Sequence, residues 1–270
     1  MNHLLRELAP VPEAGWKAIE DEAAQRLTTY LAARKLVEFH GPHGWPHSAS
    51  ELGRSEPVPG PSEGVSAARR LVHTLVELRA EFTVSRREIE DAERGASDLD
   101  LEDLDAAAER IALGENVAVF HGYEAAGIRG ITERSSHEPI TLDAKVERYP
   151  YSIAKAVDVL RQSGVGGPYG LAVAPEEYTR IIETTEHGGY PLLDHLRQIL
   201  GGTVVWAPGI QGAVVLSLRG EGDFVFDCGQ DISIGYAGHD GASVDLYFEE
   251  SFGFRVNDPD AAVALRAAGA

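Results

Sequence analysis

Apolar residues recur at three- and four-residue steps near the start of the chain, which is the spacing of one face of a helix. The stripe consists of Trp16, Ile19, Ala23, Leu27, Tyr30 and Leu31. Pro12 suits a first helical turn, and the acidic residues 13 and 20–22 favour the positive end of a helix. The pattern predicts a helix from residue 12, then a short strand at 36–39 that breaks at Gly41-Pro42.

Residues 41–64 have no apolar periodicity and are rich in Pro, Gly, Ser and His. Pro57, Pro59 and Pro61 argue against regular hydrogen-bonded structure there. A segment of this length without structure is suspect inside a compact domain, so it is expected to be a functional arm. Val72 to Phe82 alternates as a strand does, and it would return the arm as a long hairpin.

A helix signature follows the arm. Ser85 predicts the N-cap of a helix, Glu88 a capping box, and Gly95 its end. A second helix, at 101–123, is the longest in the pattern and is expected to be a spine of the domain. The later pattern predicts an α/β unit over residues 134–222, with helices at 152–162, 176–184 and 192–200 and strands at 169–174, 203–206 and 213–218.

The end of the chain predicts a long strand with one buried face. Its apolar residues share one parity: Val244, Leu246, Phe248, Phe252, Phe254 and Val256. Polar residues hold the other parity: Asp245, Glu249, Ser251 and Arg255. Such a strand needs partners, which 224–228 and 232–236 can supply.

Charge narrows the function classes. The chain has 270 residues with 43 acidic and 24 basic side chains, for a formal net charge of −19. Such a surface repels phosphate backbones, which argues against nucleic acid as a partner. No run has the roughly 20 apolar residues of a membrane span, and the N-terminus has no signal-peptide core. A cytoplasmic protein without a membrane partner is expected.

No strong catalytic or metal-binding signature is present, so no catalytic residue, metal or cofactor is assigned. The glycine-rich residues 164–170 precede a strand and lack the Lys-Ser/Thr pair of a phosphate loop. Cys228, the single cysteine, has no basic neighbour to activate it and is expected in the core. His40, His43 and His47 cluster in the arm segment without the spacing of metal ligands.

Six segments, in order along the chain, resemble the encapsulin shell proteins, a family that includes the linocin-type bacteriocins. They are LAP (8–10) with Trp16, RKLVEFHGPHGW (34–45), FTVSRREIEDAERG (82–95), GPYGLAV (167–173), HGGYPLLDHL (187–196) and GQDISIGYAGHD (229–240). Each segment is weak evidence alone, but six in order over the whole chain are specific.

The resemblance implies an α+β fold of the Hong Kong 97 phage-capsid type. Residues 1–45 would hold the N-terminal helix and the start of the P-domain, and 46–80 the extended E-loop. Residues 81–133 would hold the P-domain with its spine helix, 134–222 the A-domain, and 223–270 the returning P-domain strands.

The function implied is that of a non-enzymatic shell protein. It self-assembles into an icosahedral nanocompartment and encloses a cargo enzyme, either a peroxidase or a ferritin-like protein, which docks by a C-terminal peptide. Two alternatives stay open: a phage or prophage major capsid protein, against which the −19 charge argues, and a soluble α/β hydrolase.

The resemblance also implies two sites. The groove for the cargo peptide would be lined by Leu27, Tyr30, Leu31, Arg34, Ile232, Ile234 and Tyr236. A loop around the five-fold axis would line a pore with Glu186, His187, Gly188, Gly189 and Tyr190. Two glycines allow a close approach of backbones, and a histidine there gains charge at mildly acidic pH.

Overall fold

The structure is a computed structural model that describes residues 3–186 and 189–267. Its α-helices within these ranges are α1 (Glu13–Tyr30), α2 (Arg86–Glu93), α3 (Glu102–Phe120), α4 (Ile131–Arg134), α5 (Tyr149–Gln162), α6 (Pro175–Glu183) and α7 (Leu192–Leu200). The strands are β1 (Glu38–His40), β2 (Ala49–Val58), β3 (Ala67–Thr74), β4 (Val76–Ser85), β5 (Ile140–Thr141), β6 (Tyr169–Val173), β7 (Val204–Trp206), β8 (Ala213–Ser217), β9 (Phe224–Cys228), β10 (Ser233–His239), β11 (Ser243–Val256) and β12 (Ala262–Arg266).

The long strand β11 organises the first sheet. One of its edges pairs antiparallel with β4. The opposite edge pairs with β10 and then, after an interruption of the regular pairing at residues 250–251, with β9. Strand β1 adds to β9 in parallel. Helices α1 and α3 lie over this sheet, and their apolar stripes meet it in one core cluster that includes Ile19, Ala23, Leu104, Ala108, Ile111, Phe82, Ile234, Leu246 and Phe248.

The second sheet has the strand order β5-β12-β8-β6-β7 and packs with α5 and α7 in a second core cluster. Its strand β12 pairs antiparallel with β8. Residues 262–266, which the expected division placed with the returning P-domain strands, thus belong to the second sheet and not to the sheet of β11. This short run is buried at 262–265 and lies between β5 and β8, where a continuously apolar strand is favoured.

The predicted cap of α2 is present in part. The Ser85 Oγ accepts a hydrogen bond from the Arg87 N–H at 3.2 Å. The Glu88 carboxylate accepts from the Asp100 N–H at 3.1 Å, so the predicted return bond to Ser85 is replaced. Ser85 is the last residue of β4 and pairs with Ser243, which places its backbone in the sheet.

The predicted single buried face of β11 is wrong in the middle of the strand. Glu249, Glu250 and Ser251 are all buried, although Asp245 is exposed as expected. Both faces are covered here because His3, before α1, lies against Glu249, and Arg34, after α1, lies against Glu250.

The arm is a hairpin, as the sequence predicted, but its strands β2 and β3 differ from those expected. Most of the predicted return strand at 72–82 belongs to β4 of the first sheet, and regular pairing extends into the proline-rich segment. Pro57 lies within β2, opposite Ala68. A proline is tolerated there because the ribbon has only two strands, so each strand has an open edge where no N–H is needed. Most residues of the arm are exposed, Val72 among them, and neither core cluster draws on β2 or β3.

Replacement of residues 52–71 by Gly-Gly is expected to leave the subunit folded and to abolish the assembly that the resemblance implies. Glu51 and Val72 are cross-strand neighbours, so a two-residue turn can join them. Circular dichroism reports the fold and light scattering the assembly. An insoluble or unfolded variant would place the arm in the core, and intact shells would show that assembly does not need it.

Candidate functional site

An open groove runs between α1 and the free edge of β10. Its volume is about 270 Å³. The apolar part of its lining consists of Leu4, Ala23, Ala24, Leu27, Ile232, Ile234 and Phe248, and Arg6 and Glu20 add a basic and an acidic side chain. The groove thus has an apolar floor with a charged side, which suits an apolar side chain of an extended peptide.

Three of the seven residues predicted for this groove line it: Leu27, Ile232 and Ile234. Tyr236, two residues beyond Ile234 on β10, packs against the core cluster of the first sheet. Tyr30, Leu31 and Arg34 are not among the lining residues. Helix α1 ends at Tyr30, so the chain leaves the groove before it reaches them.

Asn116 of α3 fixes the turn that takes the chain away. Its Oδ1 accepts hydrogen bonds from the Ala32 and Ala33 N–H groups at 3.0 and 3.1 Å. Its Nδ2 donates to the Tyr30 and Pro208 carbonyls at 2.9 and 3.0 Å. A fully buried amide with all four hydrogen bonds made determines one local conformation, and this residue was not predicted.

Arg34, which was predicted for the groove, lies instead in a buried ion network. Its Nε donates to Glu115 at 2.6 Å and its Nη2 to Glu250 at 2.8 Å. Its Nη1 donates to Asp231 at 2.5 Å. The Arg34 side chain is 16% exposed, and those of Glu115 and Glu250 are 0% exposed. One guanidinium therefore faces three carboxyl groups, two of them without contact with water.

The carboxyl groups of Glu115 and Glu250 are both fully buried in this network. Each has a buried Oε1 atom without a hydrogen-bond partner among the described residues. Burial, together with the charge of Glu115, raises the pKa of the Glu250 carboxyl well above its ordinary value. Burial also raises the pKa of Glu115, although Arg34 opposes the shift. A protonated Glu250 can donate to Glu115, and the network then carries one fewer uncompensated charge.

A break between β9 and β10 supplies the space for this network. Residues 229–232 bulge out opposite Glu250 and Ser251, and the ladder resumes at Ser233. The Gly229 N–H donates to the Ser251 carbonyl at 2.8 Å, and the Ser251 N–H to the Gln230 carbonyl at 2.9 Å. Asp231, inside the bulge, is thereby presented to Arg34. Burial raises the pKa of the nearby Cys228 thiol to about 12, in keeping with the predicted core role of this cysteine.

The loop between α6 and α7 contains the predicted pore residues. His187 and Gly188 lie outside the described residues. The Glu186 N–H donates to the Tyr190 carbonyl at 2.8 Å, and the Gly189 N–H to the Glu186 carbonyl at 2.9 Å, which makes a tight turn. The Glu186 carboxylate lies 2.9 Å from the Nδ1 of His195, and Tyr190 is exposed.

The sequence matches the model of a protein family described as "Encapsulating protein for peroxidase" over residues 1–253. It is also 46% identical to the "Type 1 encapsulin shell protein" of Rhodospirillum rubrum, with 98% of this chain and 97% of the relative covered. The protein of the same name from Mycobacterium tuberculosis is 43% identical, with coverage of 98% and 99%. This chain belongs to the encapsulin family.

Solved structures agree on the fold of this encapsulin. A virus-like particle from Pyrococcus furiosus matches with a TM-score of 0.62 at 19% identity, with 93% of this chain and 98% of the other covered. A structure of Mycobacterium phage Bobi matches with a TM-score of 0.56 at 13% identity, with coverage of 91% and 90%. The predicted α+β capsid fold is confirmed, and it leaves no ground for the α/β hydrolase.

Residues 3–186 and 189–267 contain no helix long and apolar enough to cross a membrane. They also contain no group of three or more His, Cys, Asp or Glu residues arranged to hold a metal ion. The rings of His43 and His47 do approach each other, with centroids 4.7 Å apart.

Glu250→Gln is expected to remove a pH dependence of stability. A raised carboxyl pKa in the folded state means that the folded chain holds a proton which the unfolded chain releases. The stabilisation is complete below the ordinary pKa of about 4.5 and is lost as pH rises through the raised value, by up to about 1.4 kcal/mol per pH unit. The variant should therefore gain in melting temperature relative to the unchanged chain between pH 5 and pH 9.

Glu109→Gln is the matched control, because Glu109 is an exposed residue of the same helix as Glu115. Melting temperatures of the three proteins at pH 5, 7 and 9, taken at one scan rate, make the comparison. If Glu250→Gln follows the same pH profile as the control, the two carboxyl groups do not share a proton.

Proposed function

We propose that this chain is the shell subunit of an icosahedral nanocompartment and that it encloses a peroxidase as cargo. The observation that carries the proposal is the match to the family described as "Encapsulating protein for peroxidase", together with shell-protein relatives that cover 98% of the chain. A closed icosahedral shell needs about 60 subunits or a multiple of that number. The chain itself has a structural role and no catalytic one.

The exposed arm supports self-assembly. An isolated two-stranded ribbon is marginally stable in water, yet β2 and β3 extend from the subunit without contributing to either core cluster. A second copy of the subunit is the partner that would bury such a ribbon. The formal charge of −19 supports a protein cargo over packaged DNA, which separates this proposal from the phage-capsid alternative.

The groove between α1 and β10 supports docking of the cargo by a short peptide. Most of its apolar residues come from helix α1 and from the edge strand β10 with the residue before it. Both elements also pack into the core cluster of the first sheet, which fixes their positions. Within the predicted set, Leu27, Ile232 and Ile234 are the residues that would contact the peptide. Arg34 would act indirectly, since it holds the bulge that precedes Ile232.

Leu27→Asp is expected to give intact shells with little cargo, because a charge in an apolar groove without a partner costs several kcal/mol. Thr28→Asp is the matched control: the same charge, one residue along the same helix, at an exposed position. The subunits are co-expressed with a dye-decolourising peroxidase that carries its C-terminal tail, and electron microscopy and peroxidase content per shell are measured. Monomers in place of shells would overturn the whole proposal, and equal loading by both variants would overturn the groove.

We further propose that the loop 186–190 lines the pore that the family places at the five-fold axis. Its tight turn and the exposure of Tyr190 support close approach of several copies. Glu186→Gln is expected to slow turnover of a cationic substrate by an enclosed peroxidase by at least about two-fold, because carboxylates concentrate cations. Glu183→Gln, an exposed residue at the end of α6, is the control. Turnover of a neutral substrate serves as the reference. If the turnover of the cationic substrate relative to the neutral one is the same in all three proteins, the pore assignment is removed.

A further inference from the structure

The first described residues of the chain lie along the groove instead of pointing away from it. The Tyr236 N–H of β10 donates to the Leu4 carbonyl at 2.8 Å, so the turn at residues 3–4, which leads into a 3-10 helix at Arg6–Leu8, is tied to the edge of this strand. The Leu4 side chain is 8% exposed and lines the groove. It is the only apolar side chain from residues 3–8 in the lining.

Leu4 is buried without being part of either core. The two clusters of buried apolar residues, and the partly buried residues packed against them, do not include it. Its burial comes from the groove, where it lies beside Ala23, Ile234 and Phe248 of the first core cluster and beside Leu27 and Ile232. A side chain in this position does what the apolar residue of a docked peptide would do.

Contacts at the surface hold this segment down at both ends. The His3 ring stacks on Trp45 with centroids 4.4 Å apart, and its Nε2 lies 3.2 Å from Glu249. The Arg6 guanidinium lies 4.1 Å from the centre of the Trp16 ring and pairs with Glu20 at 2.5 Å. The exposed Arg6–Glu20 pair contributes little to stability, whereas the Glu249 carboxylate that faces His3 is buried. The Arg6 end of the segment can therefore leave more readily than a core element can.

The backbone between these contacts is strained. Leu5 has φ 52° and ψ 21°, and it is the one non-glycine residue with positive φ in the described chain. A leucine in the left-handed region is disfavoured and persists only where its surroundings enforce it. The conformation of residues 3–8 is thus imposed by the groove and its rim, and release of Leu4 would relieve it.

We propose that residues 3–8 are a strap that occupies the cargo groove as an internal stand-in for the peptide, and that cargo docks when Leu4 leaves. The inference rests on the proposed docking function of the groove and adds to it a competition within each subunit. The strap also specifies the peptide chemistry: a backbone carbonyl that accepts from the Tyr236 N–H, and a branched apolar side chain that fills the place of Leu4.

The test uses a copy of the strap as its own probe. A green fluorescent protein that ends in the tail HLLRELA, residues 3–9 of this chain, is co-expressed with three shells: the unchanged chain, Leu4→Ala and Leu8→Ala. Leu8 belongs to the same segment but is 51% exposed and outside the groove lining, so Leu8→Ala is the matched control. The measurement is fluorescence per shell, after assembly has been checked by electron microscopy.

Unchanged shells and Leu8→Ala shells should take up little of the probe, because the tethered strap competes at an effective concentration in the millimolar range. Leu4→Ala removes most of a buried leucine, so its shells should load about ten-fold more or better. Adding Leu27→Asp to Leu4→Ala should abolish the gain. If Leu4→Ala prevents assembly, Arg6→Gln loosens the strap with Leu4 intact and should raise loading in the same direction.

Equal loading of unchanged and Leu4→Ala shells would overturn the strap, as would the absence of loading in every shell. Both failures are distinct from failure of the docking function, which is measured with the peroxidase and its own tail. Unchanged shells that load the peroxidase, and lose it with Leu27→Asp, would leave the groove in place without the strap.

Discussion

The fold depends on the burial of one positive charge. Arg34 follows α1, Glu115 lies on α3, and Glu250 lies at the centre of β11, so the network joins the three elements that define the first sheet and its helical cover. Ionised groups lose most of their hydration on such burial, and a carboxyl left without a partner is strongly destabilising. The network can exist only if these elements approach in one arrangement, and Asn116 beside Glu115 fixes the same turn through backbone bonds.

The same constraint accounts for the irregularity of the sheet. A regular ladder from β9 into β10 would place a strand directly along Glu250. The four residues 229–232 instead bulge out, and Asp231 turns toward the guanidinium. The cost is a local irregularity of the ladder, in which Gly229 and Gln230 still bond to the backbone of Ser251. In return, the third carboxyl group reaches Arg34 from the solvent side, with 47% of the Asp231 side chain exposed.

Periodicity predicted the helices and most strands well because it reports which face is apolar. The bounds of α7 agree to the residue, and two partners of β11, β9 and β10, are those expected, whereas its long pairing with β4 was not predicted. The network was missed, although the sequence carries a signal for it: Glu250 stands in the apolar parity of β11, and Glu115 stands four residues from both Ile111 and Val119 on the buried stripe of α3. A charge on an apolar face predicts a buried partner, but a single sequence does not say which of 24 basic residues supplies it.

The two sides of the groove are held in different ways: the β10 side through the buried ion network, and the N-terminal side through contacts of residues 3–8. Asp231 belongs to the network and its neighbour Ile232 lines the groove, so the position of the β10 wall is set by the core. The opposite side, residues 3–8, is held by contacts that include the stacking of His3 on Trp45, the approach of Arg6 to the Trp16 ring, and ion pairs with Glu20 and Glu249. Displacement of the β10 wall would break a buried ion network, whereas displacement of the N-terminal side would expose Leu4 and the carboxylate of Glu249. The groove is thus fixed more firmly on the side of β10 than on the side of the N-terminal segment.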